Sequence, residues 1–253
     1  MKALKMLWGV VFILLCLAPR GFGQSSESEA ATQFQQAGIS YTAGDYQKAI
    51  ELYEEIVKKG WVSGPLYYNL ANSYFKAGNL GKAVLNYERA QRFIPRDADL
   101  ASNHQYALSQ VKNYSAPAKK LPVKILEGYR NSLTLDEITL LLFFFFFLIE
   151  ALYFLGLFLR WPRTSWTLTM IVSCLLLFFH GFVFASHMNH QKNWAIVLKV
   201  SAARFEPREN ATAYFELSKG TKVKILQEEG SWVKIQRLDG KVGWIKREAL
   251  EEI

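Results

Sequence analysis

The sequence predicts a multidomain membrane protein that combines an α-helical hairpin array, a two-helix transmembrane hairpin and a small all-β barrel. Three observations lead to this fold class. A helical pattern recurs after 34 residues, so that Ala49 and Tyr53 return as Ala83 and Tyr87. Two strongly apolar stretches follow, and the tail then changes to short runs in which apolar and polar residues alternate.

Composition and charge narrow the functional classes. The chain has 253 residues, of which 51% are hydrophobic, and its formal net charge is +8. Because the basic residues are scattered among acidic ones and do not form a stripe, we expect no nucleic-acid partner. The two cysteines, Cys16 and Cys174, each lie in an apolar run. We therefore expect neither a disulfide framework nor a zinc site built from cysteines.

The first 23 residues have the order of a secretory signal peptide. Lys2 and Lys5 precede an apolar run that extends to Ala18, and small residues end the segment at Gly23. We predict a signal peptide over residues 1–23, with cleavage after Gly23; the alternative is an uncleaved anchor. In either case the domain that follows is expected to be exported.

Residues 30–113 carry the helical repeat and a cap. Each copy has two apolar runs at helical spacing, separated by a turn at Gly44 in the first copy and at Gly78 in the second. Small and aromatic residues occupy the expected helix contacts: Ala49, Tyr53, Ile56, Ala83, Tyr87 and Ala90. The stretch after Pro95 keeps the spacing but has no turn glycine, and we predict a capping helix there. The pattern resembles the tetratricopeptide repeat.

That resemblance implies a concave groove that binds an extended or helical peptide. The positions of this sequence that match the inner face of the groove are Phe34, Tyr41, Tyr68, Asn72, Phe75 and Lys76. The alternative is that these aromatic residues pack against other parts of the same chain. The first copy departs from the pattern, because Ser40 stands where an aromatic residue is preferred.

A linker over residues 114–134 precedes the membrane segments, and it contains a short amphipathic piece beside the membrane. We predict transmembrane helices over 135–159 and 166–187, joined by a cytoplasmic turn at 160–165. The two arginines of that turn agree with the positive-inside rule, although the linker holds more basic residues than the turn. We give more weight to the signal peptide, which places the tail outside.

Glu150 interrupts the first span near its middle, where an ionisable side chain costs about 2.5–3.5 kcal/mol. Two interpretations remain open. Glu150 meets a helix of another membrane protein, or it forms a local hydrogen bond with Ser173 at the same depth of the second span. His180 lies nearer the outer surface. Three histidines, at 180, 187 and 190, follow helical spacing there, but without acidic or cysteine neighbours we predict no metal site.

The tail, residues 194–253, reads as a small barrel of about five short strands. Asp239-Gly240 is a strong signal for a tight hairpin turn. The segments 216–223, 230–235 and 239–245 resemble the bacterial SH3-like domain. This resemblance implies binding of cell-wall peptide or protein segments through aromatic residues beside the first long loop: Phe205, Pro207, Tyr214, Trp232 and Trp244. The alternative for the two tryptophans is packing in the core.

We expect no enzymatic activity. The sequence has no Gly-rich phosphate loop, metal-binding helix signature, nucleophile elbow or pair of catalytic carboxylates. No catalytic residue, cofactor or metal ligand is therefore assigned.

The order of the segments is similar to that of the BatE-type proteins of the aerotolerance operons. This resemblance implies a scaffold in the bacterial inner membrane, with its repeats and SH3-like domain on the periplasmic, extracytoplasmic side. The implied partners are von Willebrand-type membrane proteins and a MoxR-type ATPase, in a complex for envelope stress tolerance. Two other functions remain open: a sensor that binds peptidoglycan in the cell wall, and an accessory subunit of a membrane enzyme.

Overall fold

The computed structural model describes residues 24–112, 121–160, 162–190 and 193–253. The signal peptide predicted over 1–23 lies outside the described residues, as does the start of the predicted linker. The chain divides into two compact units, Met1–Trp61 and Val62–Ile253. Each unit is described separately below.

The first unit is a helical hairpin of α1 (Gln24–Thr42) and α2 (Tyr46–Lys58). The chain turns at Gly44, whose φ of +82° is a conformation that glycine adopts without strain. Asp45 then caps α2, because its side chain accepts a hydrogen bond from the backbone N–H of Lys48. Ala49, Tyr53 and Ile56, the contacts predicted from the repeat, are all buried.

The second unit begins with a hairpin of the same design, formed by α3 (Gly64–Lys76) and α4 (Leu80–Gln91). Gly78 has a φ of +77°, and Asn79 caps α4 as Asp45 caps α2. Helix α5 (Ala98–Ser109) follows, capped by Asp97. The two hairpins thus share a turn glycine, a capping side chain and a buried face of small and aromatic residues. These shared features explain why the sequence repeats after 34 residues.

Three helices then lead through the apolar part of the chain. They are α6 (Leu121–Asn131), α7 (Leu135–Phe158) and α8 (Arg163–His190). Thr134 and Glu137 form a capping box that starts α7. The segments Leu135–Gly156 and Trp166–Met188 are long and apolar enough to cross a membrane, and little of either is buried within the protein. The predicted spans therefore coincide with α7 and most of α8.

The C-terminal part is a seven-stranded antiparallel sheet with the order β3-β2-β6-β5-β4-β1-β7. The strands are β1 (Trp194–Val197), β2 (Ser201–Arg204), β3 (Ala213–Leu217), β4 (Lys222–Glu229), β5 (Trp232–Arg237), β6 (Val242–Lys246) and β7 (Leu250–Glu252). Its core is aliphatic: Ala195, Val197, Ala203, Leu217, Val223, Ile225, Val233, Ile235, Ile245 and Leu250. The sequence predicted about five short strands, whereas the sheet has seven.

Strand β6 contributes one residue, Ile245, to the core cluster. Gly243 explains the inward face of β6, because a Cβ there would lie 2.9 Å from the Cβ of Ala203. A larger residue at 243 would push β2 and β6 apart, so the close approach of these strands requires glycine.

Candidate functional site

An exposed pair of aromatic rings lies at the ends of β2 and β3. Phe205 follows β2 and is 58% exposed, and Tyr214 in β3 is 48% exposed. Their ring centroids are 4.7 Å apart with an interplanar angle of 30°. Phe215, the next residue, packs against the sheet core and contacts Tyr214 edge-on at 5.2 Å. The rings of Phe205 and Tyr214 are thus exposed to solvent, and Tyr214 packs against Phe215, which contacts the core.

The backbone around the pair explains this exposure. The register of β2 and β3 shifts between Ala203 and Arg204, and such an irregularity turns the following side chains away from the sheet. The loop is then closed by a hydrogen bond from Phe205 N–H to Thr212 O, at 3.3 Å. Pro207 lies within this loop and is half-buried. Phe205, Pro207 and Tyr214, which the resemblance names as ligand contacts, therefore lie in or beside this loop.

Trp232 and Trp244 do not belong to the exposed surface, in line with the alternative that these two residues pack within the domain. They are 8% and 7% exposed. Each ring is covered by a cross-strand lysine: Lys246 Nζ lies 5.0 Å from the Trp232 ring centroid, and Lys234 Nζ lies 5.8 Å from that of Trp244. Because the lysine side chains lie over these rings, the rings are removed from water without entering the aliphatic core.

The candidate groove residues of the first unit face their own hairpin. Phe34 is half-buried and packs edge-on against Tyr53 at 5.4 Å. Tyr41 packs against Tyr46, at 5.5 Å. Both rings therefore contribute to holding α1 against α2, and each keeps part of its surface accessible.

In the second unit, three candidate groove residues form polar and aromatic contacts with α4 and α5. Asn72 Oδ1 accepts a hydrogen bond from Tyr87 Oη at 2.6 Å, and Tyr68 Oη accepts one from Asn103 Nδ2 at 2.8 Å. Phe75 packs edge-on against Tyr106 at 5.6 Å. Lys76 is exposed. Much of this candidate surface is therefore used to dock α5, in line with the alternative that these residues pack within the chain.

The three intramembrane candidates lie apart. Glu150 is exposed on α7, whereas Ser173 on α8 is buried, and among the described residues no hydrogen bond joins them. His180 is buried, and its Nε2 lies 3.1 Å from Tyr129 Oη on α6. The described residues thus do not show the local bond between Glu150 and Ser173 that was one of the two interpretations. Glu150 remains available to a partner helix.

A charged interface between α4 and the sheet was not foreseen from the sequence. Glu251 accepts hydrogen bonds from Lys82 Nζ at 2.9 Å and from Arg89 Nη2 at 3.0 Å. Burial raises the pKa of Glu251, but Lys82 and Arg89 outweigh that effect and hold the pKa below its ordinary value. The pairing joins residues more than 160 positions apart, as 82 and 251 show, so no local pattern could have revealed it.

A second ionic cluster lies at the same interface. Glu88 Oε2 accepts a hydrogen bond from Lys222 Nζ at 2.7 Å, and His104 Nε2 lies 3.6 Å from Glu88 Oε1. Burial raises the pKa of Glu88, but the neighbouring cations hold it below the ordinary value. For His104, burial is the largest effect and lowers the pKa. The contact fixes α4 against β4, and so it joins the helices before the apolar hairpin to the sheet after it.

Comparison with known proteins agrees with this description of the tail. Residues 201–251 match the family described as the bacterial SH3 domain. The match spans β2 to β7 and includes the exposed Phe205 and Tyr214. No curated protein matches the chain. A bacterial SH3 domain suggests binding of protein or peptidoglycan, and the two apolar helices of the structure suggest association with a membrane.

Proposed function

We propose that this protein is a non-enzymatic scaffold of the bacterial inner membrane. Its helical hairpins, which we assign to the tetratricopeptide class, and its SH3-like domain hold partner proteins on the periplasmic side. The exposed pair of Phe205 and Tyr214 carries this proposal, because two adjacent rings in solvent provide a flat apolar surface for a peptide segment. An envelope stress or aerotolerance complex is the setting that the order of segments suggests.

The contact between α4 and the sheet supports the arrangement of the scaffold. Residues before α7 and residues after α8 are joined by ion pairs. Both must therefore lie on one side of the bilayer if α7 and α8 cross it as a pair. A signal peptide over residues 1–23 would place that side outside the cytoplasm.

A photo-crosslinking experiment tests the role of the aromatic pair. A benzoylphenylalanine at position 205 of the full chain, irradiated in native membranes, is expected to capture one or a few proteins reproducibly. Leu226 is the matched control position, because it is also exposed and lies in the same sheet. Equal capture from positions 205 and 226 would show that Phe205 is not part of a binding surface.

Peptidoglycan is the second candidate ligand, since the bacterial SH3 domain also suggests cell-wall binding. The membrane-bound protein should then sediment with isolated cell wall, and Phe205→Ala should weaken this association. If Leu226→Ala weakens it equally, the association is non-specific. Capture of protein without wall binding would favour the scaffold.

A third candidate is an accessory subunit of a membrane enzyme, in which Glu150 contacts the partner. The exposure of Glu150 within α7 favours such a contact, because a carboxyl facing lipid is costly. Glu150→Leu should leave insertion intact and reduce the recovery of a co-purifying membrane protein. Recovery equal to that of the wild type would remove this proposal.

A further inference from the structure

A cleft of about 100 Å³ lies in the second unit, away from the exposed aromatic pair. It is lined by residues from the helices and the sheet, chiefly Glu88, Arg92, Arg130, His187, Trp194 and Lys222. A single water needs only about 10–15 Å³ of such space, so the cleft has room for a larger group.

Arg130 places a buried positive charge in the lining of the cleft. Its side chain is 7% exposed although it carries a full positive charge. Nε donates to Asn131 Oδ1 at 3.2 Å and Nη1 donates to Ser186 Oγ at 3.3 Å, but the buried Nη2 has no hydrogen-bond partner. A buried guanidinium with an unsatisfied donor is costly, and its positive charge favours an anion in the cleft that Arg130 lines.

The other charges of the cleft favour an anion as well. Arg92 and Lys222 add two cations, whereas Glu88 is the acidic side chain in the lining. Glu88 already accepts a hydrogen bond from Lys222. The lining thus keeps an excess of positive charge after this pair is counted, and guanidinium groups match the geometry of phosphate oxygens.

The position of the cleft identifies the source of the anion. Ser186, which Arg130 contacts, lies near the end of the candidate span Trp166–Met188. Helix α6, which carries Arg130, also exposes Leu121 and Ile125. Apolar side chains beside a span, with arginine and tryptophan at its end, are typical of the membrane surface, where phospholipid head groups lie.

We propose that this cleft binds the phosphate group of an anionic phospholipid, with Arg130 as the principal cation of the site. The lipid would thereby hold α6 and the sheet at a fixed height on the membrane. The site is separate from the ligand surface proposed above, and neither depends on the other.

Native mass spectrometry of the full chain in detergent tests this proposal. Phosphatidylglycerol and phosphatidylcholine are titrated separately, and inorganic phosphate is titrated alone. Both lipids carry a phosphate group, but phosphatidylcholine also carries a choline cation, which the positively charged cleft repels. We therefore expect phosphatidylglycerol to bind about tenfold more tightly than phosphatidylcholine. Binding of phosphate with no preference between the lipids would assign the site to a free anion.

Arg130→Gln should weaken phosphatidylglycerol binding about tenfold, because it removes the charge and the unpaired donor. Lys124→Gln is the matched control, since Lys124 is exposed on the same helix and its loss changes the net charge equally. If Arg130→Gln does not assemble, Arg92→Gln replaces it. Equal affinities for both lipids without phosphate binding, or unchanged binding in the cleft variants, would overturn the proposal.

Discussion

Glu88 and His104 are two buried ionisable residues in contact, of which one is ionised and the other is neutral. Lys222 and Arg92 stabilise the carboxylate of Glu88 against the effect of burial. His104 lies 3.6 Å from that carboxylate, yet burial lowers its pKa below the ordinary value of 6.5. The cluster therefore favours an ionised Glu88 beside a neutral His104 in the folded protein at neutral pH.

This cluster predicts that acid weakens the folded state. In the unfolded chain His104 takes up a proton near its ordinary pKa of 6.5. In the folded chain its pKa is lowered, so the proton is taken up only at a lower pH. Stability should thus be complete above pH 6.5 and should decrease as the pH falls from 6.5 toward the lowered pKa of the folded state. Thermal unfolding of the full chain at a series of pH values measures this.

The variant His104→Gln should have a smaller dependence of Tm on pH over the same interval. Its Tm at neutral pH is expected to fall as well, because the His104 ring packs against Tyr87 at 5.8 Å. If wild type and variant lose Tm in parallel on acidification, His104 is not the titrating group.

At the scale of elements, Glu251 of β7 is the main charged contact of α4. Glu251→Gln should lower the free energy of unfolding by about 1 kcal/mol, because two charge-assisted hydrogen bonds are weakened at a partly exposed site. Glu248→Gln is the matched control, since Glu248 is exposed in the same terminal segment. Chemical denaturation in detergent gives both values, and equal effects would contradict the assigned role.

The exposed apolar side chains of α6 lead us to expect that this helix contacts lipid. A nitroxide at Ile125 should be relaxed more strongly by oxygen, which concentrates in the bilayer, than by a water-soluble nickel complex. A nitroxide at Tyr106 of α5 serves as the aqueous control, since the side chain of Tyr106 is 60% exposed. Equal relaxation at the two positions would show that α6 does not lie on the membrane.

Elements that depend on local patterns could be predicted, and elements that depend on distant contacts could not. Gly44 and Gly78 marked the helical turns because positive φ favours glycine. The sequence predicted fewer strands than the sheet contains. Strand β2, for example, begins with Ser201, Ala202 and Ala203, which lack the β-branched and aromatic residues of typical strands.

Some residues of the candidate sites could be predicted from local sequence, and others are brought together only by the fold. Phe205 and Tyr214 follow from the loop and its aromatic residues, and both lie on the surface. The cleft at Arg130 joins residues that are distant in sequence, such as Glu88 and Lys222, so only the folded chain brings them together. For Trp232 and Trp244, the sequence could not show that lysines on the neighbouring strand cover the rings.

At the scale of the whole molecule, the order of parts carries the proposed function. Two apolar helices separate the helical hairpins from the SH3 domain, yet ion pairs join α4 to the sheet. If both apolar helices cross the bilayer, the chain returns to the side from which it started. The proposed function therefore requires the helical hairpins and the SH3-like sheet to lie outside the cytoplasm.

Reporter fusions measure that arrangement most directly. Alkaline phosphatase, which is active only after export, and green fluorescent protein, which fluoresces in the cytoplasm, are fused behind Lys112, Arg160 and Ile253. We predict phosphatase activity behind Lys112 and Ile253 and fluorescence behind Arg160. Fluorescence at both outer positions with phosphatase activity behind Arg160 would contradict export, and opposite results at Lys112 and Ile253 would contradict a shared side.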